Sequence, residues 1–305
     1  MLHFCVFSFN RGRFLKHCLA SIERHAPGHP IWIFDDNSDD EATQSVLHEA
    51  SQQHRVIYPP HDELGKSKHG GLYGNMARAF AALPDGAIAC FIQDDMQLVR
   101  PLNAEDLQAI DDYFAKNTDA AILHPAFLKA SNRSRDIQSM TFFPELYCYR
   151  RKETGASAGV YYSDVNLFHV DRLRQKQWRF DHGEKHNESQ AKKYFPAMGF
   201  MQNPFVMWLP NVSAYRGKTK TFGLRMAEQL CESGFYPIQD MSSEKVTELK
   251  SRDPKATLAI AEDFLELVNP GEIKAPWFFY PLEKRKILRH LDRIEIKFKR
   301  LLSLK

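Results

Sequence analysis

Apolar and polar positions alternate in two rhythms along the first hundred residues. Leu2 to Phe9 is a nearly unbroken apolar run and predicts a buried strand. Phe14, Leu15, Cys18, Leu19 and Ile22 then recur at helical spacing, until Pro27 and Pro30 stop the helix. Ile31 to Phe34 reads as a second strand, and Ser38 and Asp39 are placed to cap a helix over Ala42 to Gln53. Val56 to Tyr58 is a short third strand ended by Pro59 and Pro60. A glycine-rich loop leads into a helix from Gly74 to Leu83, and Ala87 to Ile92 is a fourth strand. Strands and helices alternating at this spacing predict an α/β fold with a mostly parallel central sheet.

Beyond Pro101 the pattern is less regular. Ala104 to Lys116 predicts a helix, and Ala120 to Leu123 a strand. Asp164 to Val170, Met201 to Leu209 and Val212 to Tyr215 read as further strands, Ala256 to Leu267 as a helix. Phe127 to Tyr162 is polar, rich in arginine and fits neither period. In Lys284 to Leu304, Ile287, Leu288, Leu291, Ile294, Phe298, Leu301 and Leu302 share one helical face, and eight Lys and Arg fill the remainder. That pattern suits contact with a membrane surface; packing on the protein's own body or a dimer contact are the rival readings.

Composition narrows the picture. A chain of 305 residues, 43% hydrophobic and 26% charged, has the makeup of a globular protein. Net charge of +3 produces too weak a field to argue for nucleic acid. The five cysteines contain no CxxC pair, which argues against a zinc ribbon and for reduced core residues. With no basic leader and no apolar stretch near the ~20 residues that span a bilayer, the expected location is cytoplasmic, with possible attachment to the inner face of the membrane through 284–304.

Chemistry concentrates at two strand ends. Phe91-Ile92-Gln93-Asp94-Asp95-Met96 delivers two adjacent carboxylates from an apolar run, and Ile33-Phe34-Asp35-Asp36-Asn37-Ser38-Asp39-Asp40 has the same layout. Neighbouring carboxylates repel, so something must neutralise them. A hard divalent cation on a phosphate would serve. The carboxyl ends of parallel strands are where open α/β sheets bind ligands.

These residues carry a resemblance. Phe7-Ser8-Phe9-Asn10-Arg11, the helix that follows and the acidic second strand end resemble the opening of inverting family 2 glycosyltransferases with the GT-A fold, convincingly from Leu2 to about Pro101. Gln93-Asp94-Asp95-Met96 is similar to the DxD-type metal motif of that fold. The resemblance implies a nucleotide-sugar donor, a glycan or lipid-linked glycan acceptor, and Mn2+ or Mg2+ as cofactor. By analogy it implies a role in polysaccharide biosynthesis. It divides the chain into a nucleotide-sugar-binding half (1–101), an acceptor-binding half (102–245) and a helical appendage (246–305). It assigns nucleotide contacts to Asp36 and Asp35, with Asn10, Arg11, Lys68 and Asp94 beside them, and the metal to Asp95 helped by Asp94. The acceptor's base falls at Glu188, with Glu184 and Asp181 as rivals. His182 and His186 flank it without an HExxH motif. Lys66 and His69 accompany Lys68 in a loop that lacks P-loop spacing. The chain departs from the family at Gln93, where an acid is usual, and at Tyr215-Arg216, where a late histidine ligand is usual; Arg216 or Lys218 would supply positive charge there instead. A nucleotidyltransferase and a non-catalytic nucleotide- or glycan-binding relative are the alternatives.

Overall fold

The computed structural model describes residues 1–60, 71–153, 159–214, 218–283 and 285–302. The first half runs β1 (Leu2–Ser8), α1 (Gly12–His25), β2 (Ile31–Asp35), α2 (Glu41–Ala50), β3 (Arg55–Ile57), α3 (Leu72–Ala82), β4 (Ile88–Gln93) and β5 (Met96–Leu98). Next come α4 (Ala104–Lys116), β6 (Ile122–His124), α5 (Arg133–Ser139), β7 (Met140–Phe143), β8 (Cys148–Arg151) and β9 (Asn166–His169). The chain continues through α6 (Val170–Gln175), α7 (Glu184–Tyr194), β10 (Gly199–Met201), β11 (Val206–Trp208), α8 (Phe222–Leu230), α9 (Ser243–Ser251), α10 (Ala261–Phe264) and α11 (Lys286–Leu302).

One sheet has the order β3-β2-β1-β4-β9-β6-β10-β8-β7, and β5 and β11 form a separate pair. β2 and β4 flank β1 in parallel, and β9 runs antiparallel to both β4 and β6. β8 is the other reversed strand, between β10 and β7. The α/β class with a mostly parallel central sheet is therefore the observed one.

The sheet is buried on both faces. On one, Leu15, Cys18 and Ile22 of α1 pack with Phe4, Val6 and Ile33; on the other, Met76 and Ala79 of α3 pack with Phe7, Phe34 and Phe91. Each such side chain stabilises the fold by about 1.5–3 kcal/mol when fully buried. A third cluster joins Val99, Phe127 and Met207 to Phe264 and Trp277. The core thus extends well into the segment expected to be an appendage.

Several local expectations change. The cap of α2 is Asp40, whose side chain accepts from the Thr43 N–H at 3.0 Å, not Ser38 or Asp39. Met201–Leu209 is two strands in two sheets, because the chain turns around Pro204 between them. Val212 makes only a bridge to Gly234, and Tyr215 lies outside the described residues. Of Ala256–Leu267 only Ala261–Phe264 is helical; Ile260 instead bridges Leu128. The arginine-rich stretch after Phe127 supplies α5, β7 and β8. All five cysteines are free and buried.

Candidate active site

β1, β2 and β4 end at one edge, where Asp36 donates its N–H to Ser8 (3.0 Å) and Asp94 donates its N–H to Phe7 (3.0 Å). The two acidic strand ends are thus stitched to the same strand. Asp94 is 5% exposed and accepts from the Phe9 N–H at 3.1 Å. Arg11 enters from the turn after β1. Its Nη1 lies 2.5 Å from Asp95 and 3.5 Å from Asp94, and its Nη2 donates to the Ser213 carbonyl at 2.9 Å. The positive charge that the acid pair demands is present in the chain itself. Burial pushes the Asp94 carboxyl up to about 7 against the pull of Arg11, and Asp95 adds repulsion. Asp95 is anchored through its carbonyl, which accepts from the Leu209 N–H at 2.8 Å. Its Oδ1 is buried with no hydrogen-bond partner.

That orphaned oxygen fits one ligand position of a divalent cation. No group of three or more His, Cys, Asp or Glu gathers around a common point among the described residues. A cation here would take the rest of its oxygens from water or a bound ligand.

The other acidic turn divides its labour. Asp35 is fully buried and accepts from the Ser38 N–H and Oγ, both at 2.7 Å, so it holds the turn. Asn10, at φ 51°, does the same from the β1 side. Its N–H donates to Ser38 Oγ (2.8 Å), its Nδ2 to Asp39 (2.7 Å), and its Oδ1 accepts from the Asp39 N–H (2.9 Å). Asp36 is half-buried and accepts from the Gly71 N–H at the start of α3. Arg78 lies near enough to favour its charge, although burial outweighs that and raises its carboxyl. A side chain at Gly71 would overlap the Asp36 carboxylate, which explains a glycine there. Lys66, Lys68, His69 and Arg216 lie outside the described residues. Lys218 is near enough to Arg11 for their like charges to interact, with Nζ 5.7 Å from the Tyr280 ring centroid.

Two of the three acids expected to compete as base, Glu184 and Glu188, lie on α7, and Asp181 lies just before it. The Glu188 carboxylate accepts from the N–H groups of Val160 (3.0 Å), Tyr161 (3.1 Å) and Tyr162 (2.7 Å), so it pins a loop. Asp181 is exposed and joins Asn187 through backbone N–H and carbonyl, both at 2.9 Å, to start the helix. Glu184 lines a cavity of about 280 Å³. Its side chain is exposed to solvent at the cavity wall. Desolvation there, then Asp164 and Glu188, raise its carboxyl to about 7, with Lys129 opposing. Tyr73 Oη donates to Asp164 at 3.0 Å beside it. His182, just before α7, and His186, on it, are both exposed, and His182 packs edge-on to Tyr73 at 6.2 Å.

The cavity also brings together residues that sequence reasoning missed: His124, Lys129, Arg135, Asp136, Arg151 and Trp208. Four of them come from the stretch that fits no period. Its arginine content was the only signal, and nothing local showed where those side chains would meet.

No family model and no curated protein matches the chain. Solved structures are similar to it in fold. TarS of S. aureus aligns with TM-score 0.46 and 12% identity over 67% of this chain and 36% of its own. The mannosyltransferase PcManGT from Pyrobaculum calidifontis, in complex with GDP-Man and Mn2+, aligns with TM-score 0.43 and 11% identity over 75% and 60%. The galactosyltransferase LgtC, with donor and acceptor sugar analogs, aligns with TM-score 0.36 and 14% identity over 64% and 65%. The chain spans less than two thirds of the length of each of these proteins.

Proposed function

We propose that the chain is an inverting glycosyltransferase of family 2-like GT-A type, moving a sugar from a nucleotide-sugar, UDP-linked in this reading, to a hydroxyl of a glycan or lipid-linked glycan. The observation that carries it is the nearness of the acid pair to the cavity that Glu184 lines, with Lys129, in the cavity wall, in charge contact with both Glu184 and Asp95. Asp36 holds the nucleoside at the carboxyl end of β2. Asp35 and Asn10, assigned to the nucleotide by resemblance, act behind it by fixing the turn. Asp95, backed by Asp94, is the residue that would hold Mn2+ or Mg2+, which when bound would take up charge on the leaving diphosphate. Arg11 brings further positive charge to the same place.

Glu184 is the base in this scheme rather than Glu188, whose oxygens are occupied by backbone donors. The acceptor oxygen attacks the anomeric carbon from the face opposite the diphosphate. The bond from that carbon to the phosphate oxygen breaks, its electron pair leaves with the diphosphate, and the hydroxyl proton passes to Glu184.

The lipid-linked acceptor draws support from α11. No described helix is long and apolar enough to cross a membrane. Yet Ile287, Leu291, Ile294, Phe298 and Leu301 form an exposed apolar stripe, 40–78% accessible. Lys286, His290, Arg293 and Lys297 border that stripe, which suits an anionic lipid surface.

The test is a panel of UDP-, GDP-, CMP- and dTDP-sugars, with and without Mn2+, on the wild type and Asp95→Ala, read by thermal unfolding and by product release. One nucleotide class should stabilise the wild type by about 2.7 kcal/mol at a hundredfold excess over Kd, much less in Asp95→Ala. The product should be a nucleoside diphosphate. Pyrophosphate release would make it a nucleotidyltransferase, and no stabilisation by any donor would remove the reading.

A further inference from the structure

We infer that the cavity beside Glu184 selects an acceptor carrying a fixed negative group, the carboxylate of an acidic sugar or the phosphate of a phosphosugar. This deepens the glycosyl-transfer reading and rests on it.

The argument starts from the charges in the cavity wall. Arg135 and Arg151 both lean on Asp136, Arg135 through Nε at 2.9 Å and Arg151 through Nη2 at 3.1 Å. Two guanidiniums thus share one carboxylate, and Asp136 is 1% exposed. Arg151, 6% exposed, places Nη1 on the Gly159 carbonyl at 2.7 Å, and its Nε is buried with no partner. Lys129 makes no salt bridge among the described residues. Its ammonium instead lies 4.1 Å from the Trp208 ring centroid and 4.4 Å from that of Phe279.

The nearby Glu262 and Glu283 act on Lys129 through their charge but spend their hydrogen bonds on other groups. Glu262 accepts from the N–H groups of Ala130 (2.9 Å) and Trp277 (3.1 Å), and Glu283 from Ser131 Oγ (2.9 Å) and the Phe279 N–H (3.1 Å). His124 adds no charge, because burial pushes its imidazole down to about 4. The wall itself sets Lys129, Arg135 and Arg151 against Asp136 and Glu184, and Lys129 has no carboxylate within salt-bridge distance among the described residues, so an incoming anion can pair with it directly. Rings complete the pocket: Trp208 and Phe200 line it beneath Lys129 and Arg151, and His124 packs against both.

The probes are methyl β-glucuronide, glucose 6-phosphate and methyl β-glucoside, with binding followed by ligand-observed NMR on the wild type, Lys129→Met and Arg135→Gln. Methionine keeps the stem packed on the rings while removing the charge. UDP-dependent stabilisation, read in parallel, reports the donor site. At least one anionic probe should bind the wild type about tenfold tighter than the neutral glucoside, the scale of one charge-assisted hydrogen bond. Lys129→Met should remove that preference and leave neutral-glucoside binding and the UDP shift intact. Whichever anionic probe wins tells carboxylate from phosphate. Equal binding of all three probes, or an unchanged preference in both variants, overturns the inference. An anionic preference with no response to any nucleotide-sugar would leave an anion site and overturn the transferase reading alone.

Discussion

Arg11 sets how Asp94 and Asp95 can sit side by side at a buried strand end. Removing the charge while keeping bulk, as in Arg11→Met, leaves the pair unneutralised. Breaking a buried ion pair from one side costs about 3–5 kcal/mol. Arg11 is 16% exposed along its side chain, so the lower end of that range is expected, read as a fall in the denaturant midpoint. Glu184 gives the second residue-scale prediction. A base must be ionised, so the rate should climb with pH through about 7, where its raised carboxyl titrates. Glu184→Gln should abolish transfer and keep donor binding. The sign for stability is opposite. With its folded value above the ordinary 4.5, Glu184 is best tolerated at low pH, and its contribution is lost as pH rises toward 7. The glutamine variant should show a flatter profile of unfolding midpoint against pH. Arg11 and the acid pair were legible in the sequence because they lie in two short motifs at strand ends. Glu184 and Glu188 were not separable, being one helical turn apart. What separates them is the Val160–Tyr162 backbone, whose approach to α7 no local pattern records.

At the scale of elements, α11 was readable as an amphipathic helix, but not which side it would turn inward. It docks by a polar edge. Asp292 accepts from Thr221 Oγ1 at 2.6 Å, and Glu295 from the Phe222 N–H at 2.6 Å, both at the start of α8, where negative charge is favoured. Gly223 permits the approach, since a Cβ there would meet the Leu288 carbonyl at 2.5 Å. The apolar stripe therefore stays outside. The full chain should co-sediment with phosphatidylglycerol vesicles and not with phosphatidylcholine ones, more weakly as salt is raised. Phe298→Glu with Ile294→Glu should release it without shifting the unfolding midpoint. Retention of the double variant on vesicles would leave the stripe without that role. Four of the five strands of the first hundred residues were read nearly to their ends, and β5 was missed. β6, β10 and β11 have three residues apiece, too few to display a period.

For the whole molecule, the sheet order matters most. β9, from residues 166–169, is the hydrogen-bonded neighbour of β4 and inserts between it and β6. Leu2 to Gln93 therefore ends in an open strand edge when the rest is missing. A fragment of residues 1–101 should fail to show a cooperative thermal transition, whereas the full chain should unfold in one. An independently folding fragment would make the nucleotide half a separate domain.

The reach of Arg11 to the Ser213 carbonyl, 202 residues away, has a consequence for synthesis. The ribosome releases the acid pair early and the carbonyl that steadies its counter-charge much later. Until then the strand end that carries the acid pair has no reason to leave water, and the nascent chain waits with its β4 edge unpaired. Late arrival of the second half thus leaves a half-made chain open to capture by chaperones.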